Sequence, residues 1–147
     1  MGVCAFVASG VDFDVDSYVR DTPLEVLAVF HKGEVRPDGG PETDARPDSG
    51  FVAYVSEDDF PHLLDQVGDA VDFLEAQEKE FERLQKVGAN TMLLDFRVRQ
   101  QHTEPKVHTM PPELVQSMSR FGMGFVFFVE VIVEEYRRKR WFNPRRR

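Results

Sequence analysis

The sequence holds one cysteine and one tryptophan, and no apolar run long enough to span a bilayer. A lone Cys4 excludes an intrachain disulfide and any multi-cysteine metal site. It reads as a small buried residue in a reducing compartment, not as a nucleophile. The opening "MGVCAFVASGVDF" has no basic n-region and lacks the sixth-position hydroxyl of a myristoylation signal, so the expected location is the cytoplasm. The longest apolar stretch, "GFVFFVEVIV", is short and interrupted by Glu130. No glycine-rich phosphate loop is present, because Gly122 and Gly124 follow a predicted helix instead of preceding one. No serine lies in a G-x-S-x-G context. His31, His62, His102 and His108 show none of the spacings that place two ligands on one metal. No nucleophile–base pair, metal set or cofactor motif is visible, and a non-enzymatic protein without a cofactor is the expectation.

What the chain does have is charge, unevenly placed. Over 147 residues, 18 basic and 26 acidic side chains give a net charge of −8. Seven of the cations fall in "RRKRWFNPRRR", residues 137–147, which holds no acid. Removing those seven leaves 11 basic against 26 acidic residues in 1–136, a body near −15. Such a body repels nucleic acid and attracts basic partners, with the effect fading as salt rises. The tail does the opposite. Arg137, Arg138, Lys139, Arg140, Arg145, Arg146 and Arg147 could grip phosphates while Trp141 stacks on a base. The same composition could lie on an anionic membrane, or across the acidic body of its own chain or a neighbour.

The periodicity predicts a single α+β domain over 1–136 and a basic tail over 137–147. Val3 to Ser9 reads as a strand, Asp14 to Arg20 as a short helix, and "VLAVFHKGEV" as a strand running into a turn at Gly33. "RPDGGPETDARPDSG" (36–50) has no large apolar side chain and reads as a mobile surface loop. "FVAYVS" is a strand, after which Ser56 or a following acid is expected to cap one long helix over 59–86. Its inner stripe is Leu63, Leu64, Val67, Val71, Leu74, Phe81 and Leu84. Its outer face, "EAQEKEFER", is acidic, which is most often only a solvated face. If the acidic body is the working surface, Glu75, Glu78 and Glu82 are its candidate contacts.

"TMLLDFRVRQ" alternates, with Leu94, Phe96 and Val98 facing one way and Asp95, Arg97 and Arg99 the other, as a half-buried strand does. After the loop "TEPKVHT", "MPPELVQSMSRFG" reads as a helix with proline near its start and Gly122 at its end. The last strand, "FVFFVEVIVEEY", is apolar on both faces. It is expected either at the centre of a sheet or covered by another subunit, as in a homodimer. The order β-α-β-β-α-β-α-β predicts an antiparallel or mixed five-stranded sheet with helices mainly on one face.

One motif invites a chemical reading. In "DFDVDS" Asp12, Asp14 and Asp16 stand at the first, third and fifth positions of a calcium loop. The sixth position, which demands glycine, is Ser17, and the twelfth, which demands glutamate, is Pro23. The stretch therefore reads as a corner between strand and helix. Val11, Phe13 and Val15 turn inward, and Asp14 or Asp16 caps the free N–H groups of the helix.

Several strings resemble a bacterial family known only as domain of unknown function 4279. They are "GVDFDVDSYV" followed by "TPLE", then "VFHKGEVRP", "SGFVAYVS" and "MPPELVQSMSRFGMGF", which together span most of residues 5–133. The chain departs from that pattern at Phe51, where a tryptophan is expected, and in its arginine-rich tail. The resemblance implies a single α+β domain and supplies no activity. The function expected from the residues is a protein-binding module with an acidic surface, comparable in charge to immunity proteins that cover basic toxins. The alternative is a nucleic-acid-associated protein working through the tail.

Overall fold

The computed structural model describes residues 4–35, 45–57, 63–101 and 109–132. Five strands and four helices follow in the order β1 (Cys4–Gly10), α1 (Val15–Val19), β2 (Val26–Phe30), β3 (Ser49–Ser56), α2 (Leu63–Ala76), α3 (Glu78–Lys86), β4 (Thr91–Gln101), α4 (Pro112–Arg120) and β5 (Gly124–Ile132). They form one mixed sheet with strand order β2-β3-β1-β4-β5. The first four strands pair antiparallel, and β5 joins β4 in parallel after the α4 crossover. The α+β architecture is the one the sequence predicts.

Two-residue alternation sorts the sheet into two faces. Cys4, Phe6 and Ala8 of β1 are buried, as are Phe51, Ala53 and Val55 of β3 and Met92, Leu94, Phe96 and Val98 of β4. The register puts Phe6 between Ala53 and Leu94, so these side chains share one face. Val15 and Tyr18 of α1, Val67, Ala70 and Leu74 of α2, Phe81 and Leu84 of α3, and Leu114 and Met118 of α4 close over it in a single core. The opposite face, with Val7, Val52 and Leu93 in line, is only half-buried.

Three expectations are corrected. The long helix breaks at Gln77, whose ψ of 18° leaves the helical region. The break turns α3 so that the Phe81 ring reaches Phe6 at 5.3 Å, Phe73 at 5.8 Å and Phe121 at 5.1 Å. Leu64, placed on the inner stripe by spacing, is 79% exposed. The last strand is not central: β5 is the outermost strand of the described sheet, with β4 as its one described neighbour.

The base of the β2–β3 connection is described although 36–44 is not. Gly33 N–H donates to the Arg46 carbonyl at 2.9 Å, and Arg46 N–H donates to the Glu34 carbonyl at 2.9 Å. The mobility expected of the loop, the helix start at 59–62 and the tail lie outside the described residues.

Candidate functional site

Three surface features merit weighing: the acidic corner after β1, the outer side of α2 and α3, and the β5 edge. At the corner, Gly10 ends β1 against Gly88, which terminates α3 with φ +97°. A Cβ at Gly10 would collide with the Gly88 carbonyl, so only glycine lets the corner dock here. Phe13 and Val15 then turn into the core, while Val11, expected inward, stays exposed in the turn. The Asp14 carboxylate accepts from Ser17 N–H at 3.2 Å and is the N-cap of α1. Asp16 is not a cap. Its carboxylate meets His31 Nε2 at 2.8 and 3.0 Å, and His31 Nδ1 meets Glu34 at 2.6 Å. Both ring nitrogens face carboxylates, so hydrogen bonding to Asp16, then to Glu34, raises the His31 pKa above its ordinary value. Glu34 is correspondingly held below the usual carboxylate range. Asp14 and Asp16, at the third and fifth positions of the calcium-loop spacing, thus point to different partners. Among the described residues no group of three or more His, Cys, Asp or Glu could hold a metal ion.

Beside the corner, Tyr18 donates its hydroxyl to Glu80 at 2.5 Å and accepts from the Thr22 hydroxyl at 3.2 Å. Burial, then the Glu80 hydrogen bond, pushes its pKa up. Arg83 stacks 4.7 Å from the Tyr18 ring centroid and pairs with Asp21 and Glu80. This cluster ties α1 to α3. Cys4 is buried, and desolvation, with the Asp95 and Asp69 charges adding, pushes its thiol up to about 12, which makes it inert. Gln66 is fully buried, with its Nε2 donating to the Arg97 carbonyl at 3.4 Å and its Oε1 unpartnered. Ser56 ends β3 and donates to Asp69 at 2.6 Å, and the helix start that it or a following acid is expected to cap lies outside the described residues. These buried groups brace α2 against the sheet.

Along α2 and α3 the sequence-predicted acids separate. Glu78 is held by Arg120 of α4 at 2.5 Å. Glu75 and Glu82 are exposed, and no ion pair among the described residues involves them. The arginines on this side are already engaged, Arg83 with Asp21 and Glu80, and Arg120 with Glu78. Of the exposed charges on α2 and α3, four are acids (Asp65, Asp72, Glu75 and Glu82) and two are lysines (Lys79 and Lys86), so what faces solvent is net carboxylate.

The β5 edge was legible only as a doubly apolar strand. Phe125 and Val129 on its helical face are 52% and 41% exposed, and Val126 and Phe128 on its open face are 45% and 53% exposed. Arg97 lies 5.5 Å from the Phe128 ring centroid and pairs with Asp95 at 3.6 Å. The candidate tail residues Arg137–Arg140, Trp141 and Arg145–Arg147, and His62, His102 and His108, lie outside the described residues.

The fold defines an open-faced α+β sandwich with one mixed sheet. No protein-family model, curated protein or solved structure matches the chain. No helix among the described residues is long and apolar enough to cross a membrane.

Proposed function

We propose that this protein is a non-catalytic binding module whose acidic helical side covers a basic protein partner. The observation that carries the reading is the imbalance on α2 and α3: Asp65, Asp72, Glu75 and Glu82 face solvent there against Lys79 and Lys86, while Arg83 is held by Asp21 and Glu80. An unbalanced carboxylate surface raises the association rate of a basic partner and disfavours anionic ones. The body charge near −15 extends that field over the whole domain. A structural role for Tyr18, Asp69 and Cys4 is supported by the neighbouring side chains that the first two bond and by the protonated thiol of the third.

The test is capture with the intact chain as bait. A stoichiometric basic protein, recovered at low salt and released at high salt, is the expected result. Recovery of only neutral or acidic proteins, or retention in high salt, would reject the reading. A second reading rests on the seven cations and Trp141 of the tail, which could bind single-stranded nucleic acid. It requires a salt-sensitive gel shift with mixed RNA or DNA that disappears when residues 137–147 are deleted.

A further inference from the structure

A histidine bonded to one carboxylate keeps its contact when it loses a proton, because the neutral ring still has one N–H to aim at the acid. His31 has no such recourse. Its Nε2 meets the Asp16 carboxylate at 2.8 and 3.0 Å, and its Nδ1 meets Glu34 at 2.6 Å. An ionised carboxylate only accepts, so both contacts hold only while both ring nitrogens carry protons. The neutral ring turns a lone pair on one of the two acids, and that contact must break. These acids are the charges that face the ring, one from α1 and one from the β2–β3 connection; the Arg46 charge bears on Glu34.

The fold decides which contact gives way. Glu34 N–H donates to the His31 carbonyl at 3.1 Å, so Glu34 belongs to the same turn as the ring and moves with it. Asp16 belongs to α1, which is fixed separately by Val15 and Tyr18 in the core and by the Tyr18 bond to Glu80. The Asp16 contact is thus the one that joins two independently held parts. The part that follows His31 is the exposed stretch 32–35. There Gly33 N–H donates to the Arg46 carbonyl, Arg46 N–H to the Glu34 carbonyl and Lys32 N–H to the Ser49 hydroxyl.

We infer that His31 is a pH-operated latch between α1 and the foot of the β2–β3 connection, closed while the ring holds both protons and open at Asp16 when it holds one. Closed, the three side chains carry one net negative charge. Open, they carry two, and the Asp16 carboxylate is released to solvent on the same corner as Asp12 and Asp14. Opening therefore loosens the foot and deepens the negative field of the corner together. Asp16 and Glu34 hold the ring's pKa above its ordinary 6.5, so the change falls on the neutral side of that value.

Nuclear magnetic resonance of the intact chain, followed from about pH 5 to about pH 9, tests the latch. The His31 ring signals are assigned by their loss in His31→Gln. In the wild type Nε2 should lose its proton and Nδ1 keep it, with a midpoint above 6.5. Across that midpoint the hydrogen-exchange protection of the Gly33 and Arg46 amides should fall at least about tenfold, after allowance for the intrinsic effect of pH on exchange. Asp16→Asn should hold the latch closed throughout, because a carboxamide accepts from the charged ring and donates to the neutral one. His31→Gln, with no titrating ring, should show no step. A wild type without the step, or a step that survives in either variant, would overturn the inference. So would a neutral ring that keeps its proton on Nε2, or a midpoint at or below 6.5.

Discussion

His31 and Asp16, fifteen residues apart, join the end of β2 to α1 through a 2.8 Å contact, with Glu34 on the other ring nitrogen. The raised His31 pKa gives this contact a pH dependence of fixed sign. A group whose folded pKa is raised adds stability fully below its ordinary value, here 6.5, and loses it as pH rises through the folded value. Glu34 is depressed from 4.5, so its contribution is present above that pH and fades as pH falls through its folded value. The melting temperature of the wild type should exceed that of His31→Gln most clearly between about pH 4.5 and 6.5, and the gap should narrow at higher pH. A gap that widens above neutrality would contradict the pairing.

Asp14 and Asp16 should separate under mutation. Asp14→Ala removes the hydrogen bond to Ser17 N–H and should cost about 1 kcal/mol, which lowers the melting temperature by roughly 2–4 °C in a chain of this size. Asp16→Ala should instead weaken the pH dependence described for His31, leaving the part that Glu34 supplies. Calcium should leave both melting temperatures unchanged; a calcium-dependent rise would restore the ligand reading of "DFDVDS".

The contrast between these two aspartates shows what the sequence could disclose. A cap is a local relation, three residues long, and its signal lies in the string itself. The Asp16–His31 contact depends on where β2 ends in space, and no spacing announces it. β4 was readable because Leu94, Phe96 and Val98 alternate with charges. β5 was ambiguous because apolar side chains on both faces suit a central strand and an uncovered edge equally. Leu64 misled because it stands one residue from the stripe that Val67, Ala70 and Leu74 continue. The break at Gln77 carries no proline or glycine, and only the packing of Phe81 accounts for it.

Phe51 should dominate the core's energetics. It stacks on Tyr18 at 5.2 Å and touches Phe6 and Phe13 at 6.1 and 6.2 Å. Phe51→Ala should cost about 3–5 kcal/mol by chemical denaturation, against about 0.5 kcal/mol or less for Leu64→Ala on the exposed side of α2. Phe51→Trp, the residue expected from the family pattern, should cost about 1–3 kcal/mol, because the surrounding rings are already in contact.

The most direct test of the binding proposal is the affinity of the captured basic partner for wild type and for a Glu75→Lys/Glu82→Lys double variant. Both positions are exposed and unpaired, so the variant should keep its fold. Calorimetric titration should show the dissociation constant rising at least about tenfold, equivalent to about 1.4 kcal/mol, with a shallower dependence on salt. An affinity and salt dependence unchanged by the reversal would contradict the assignment of the acidic helical side as the working surface.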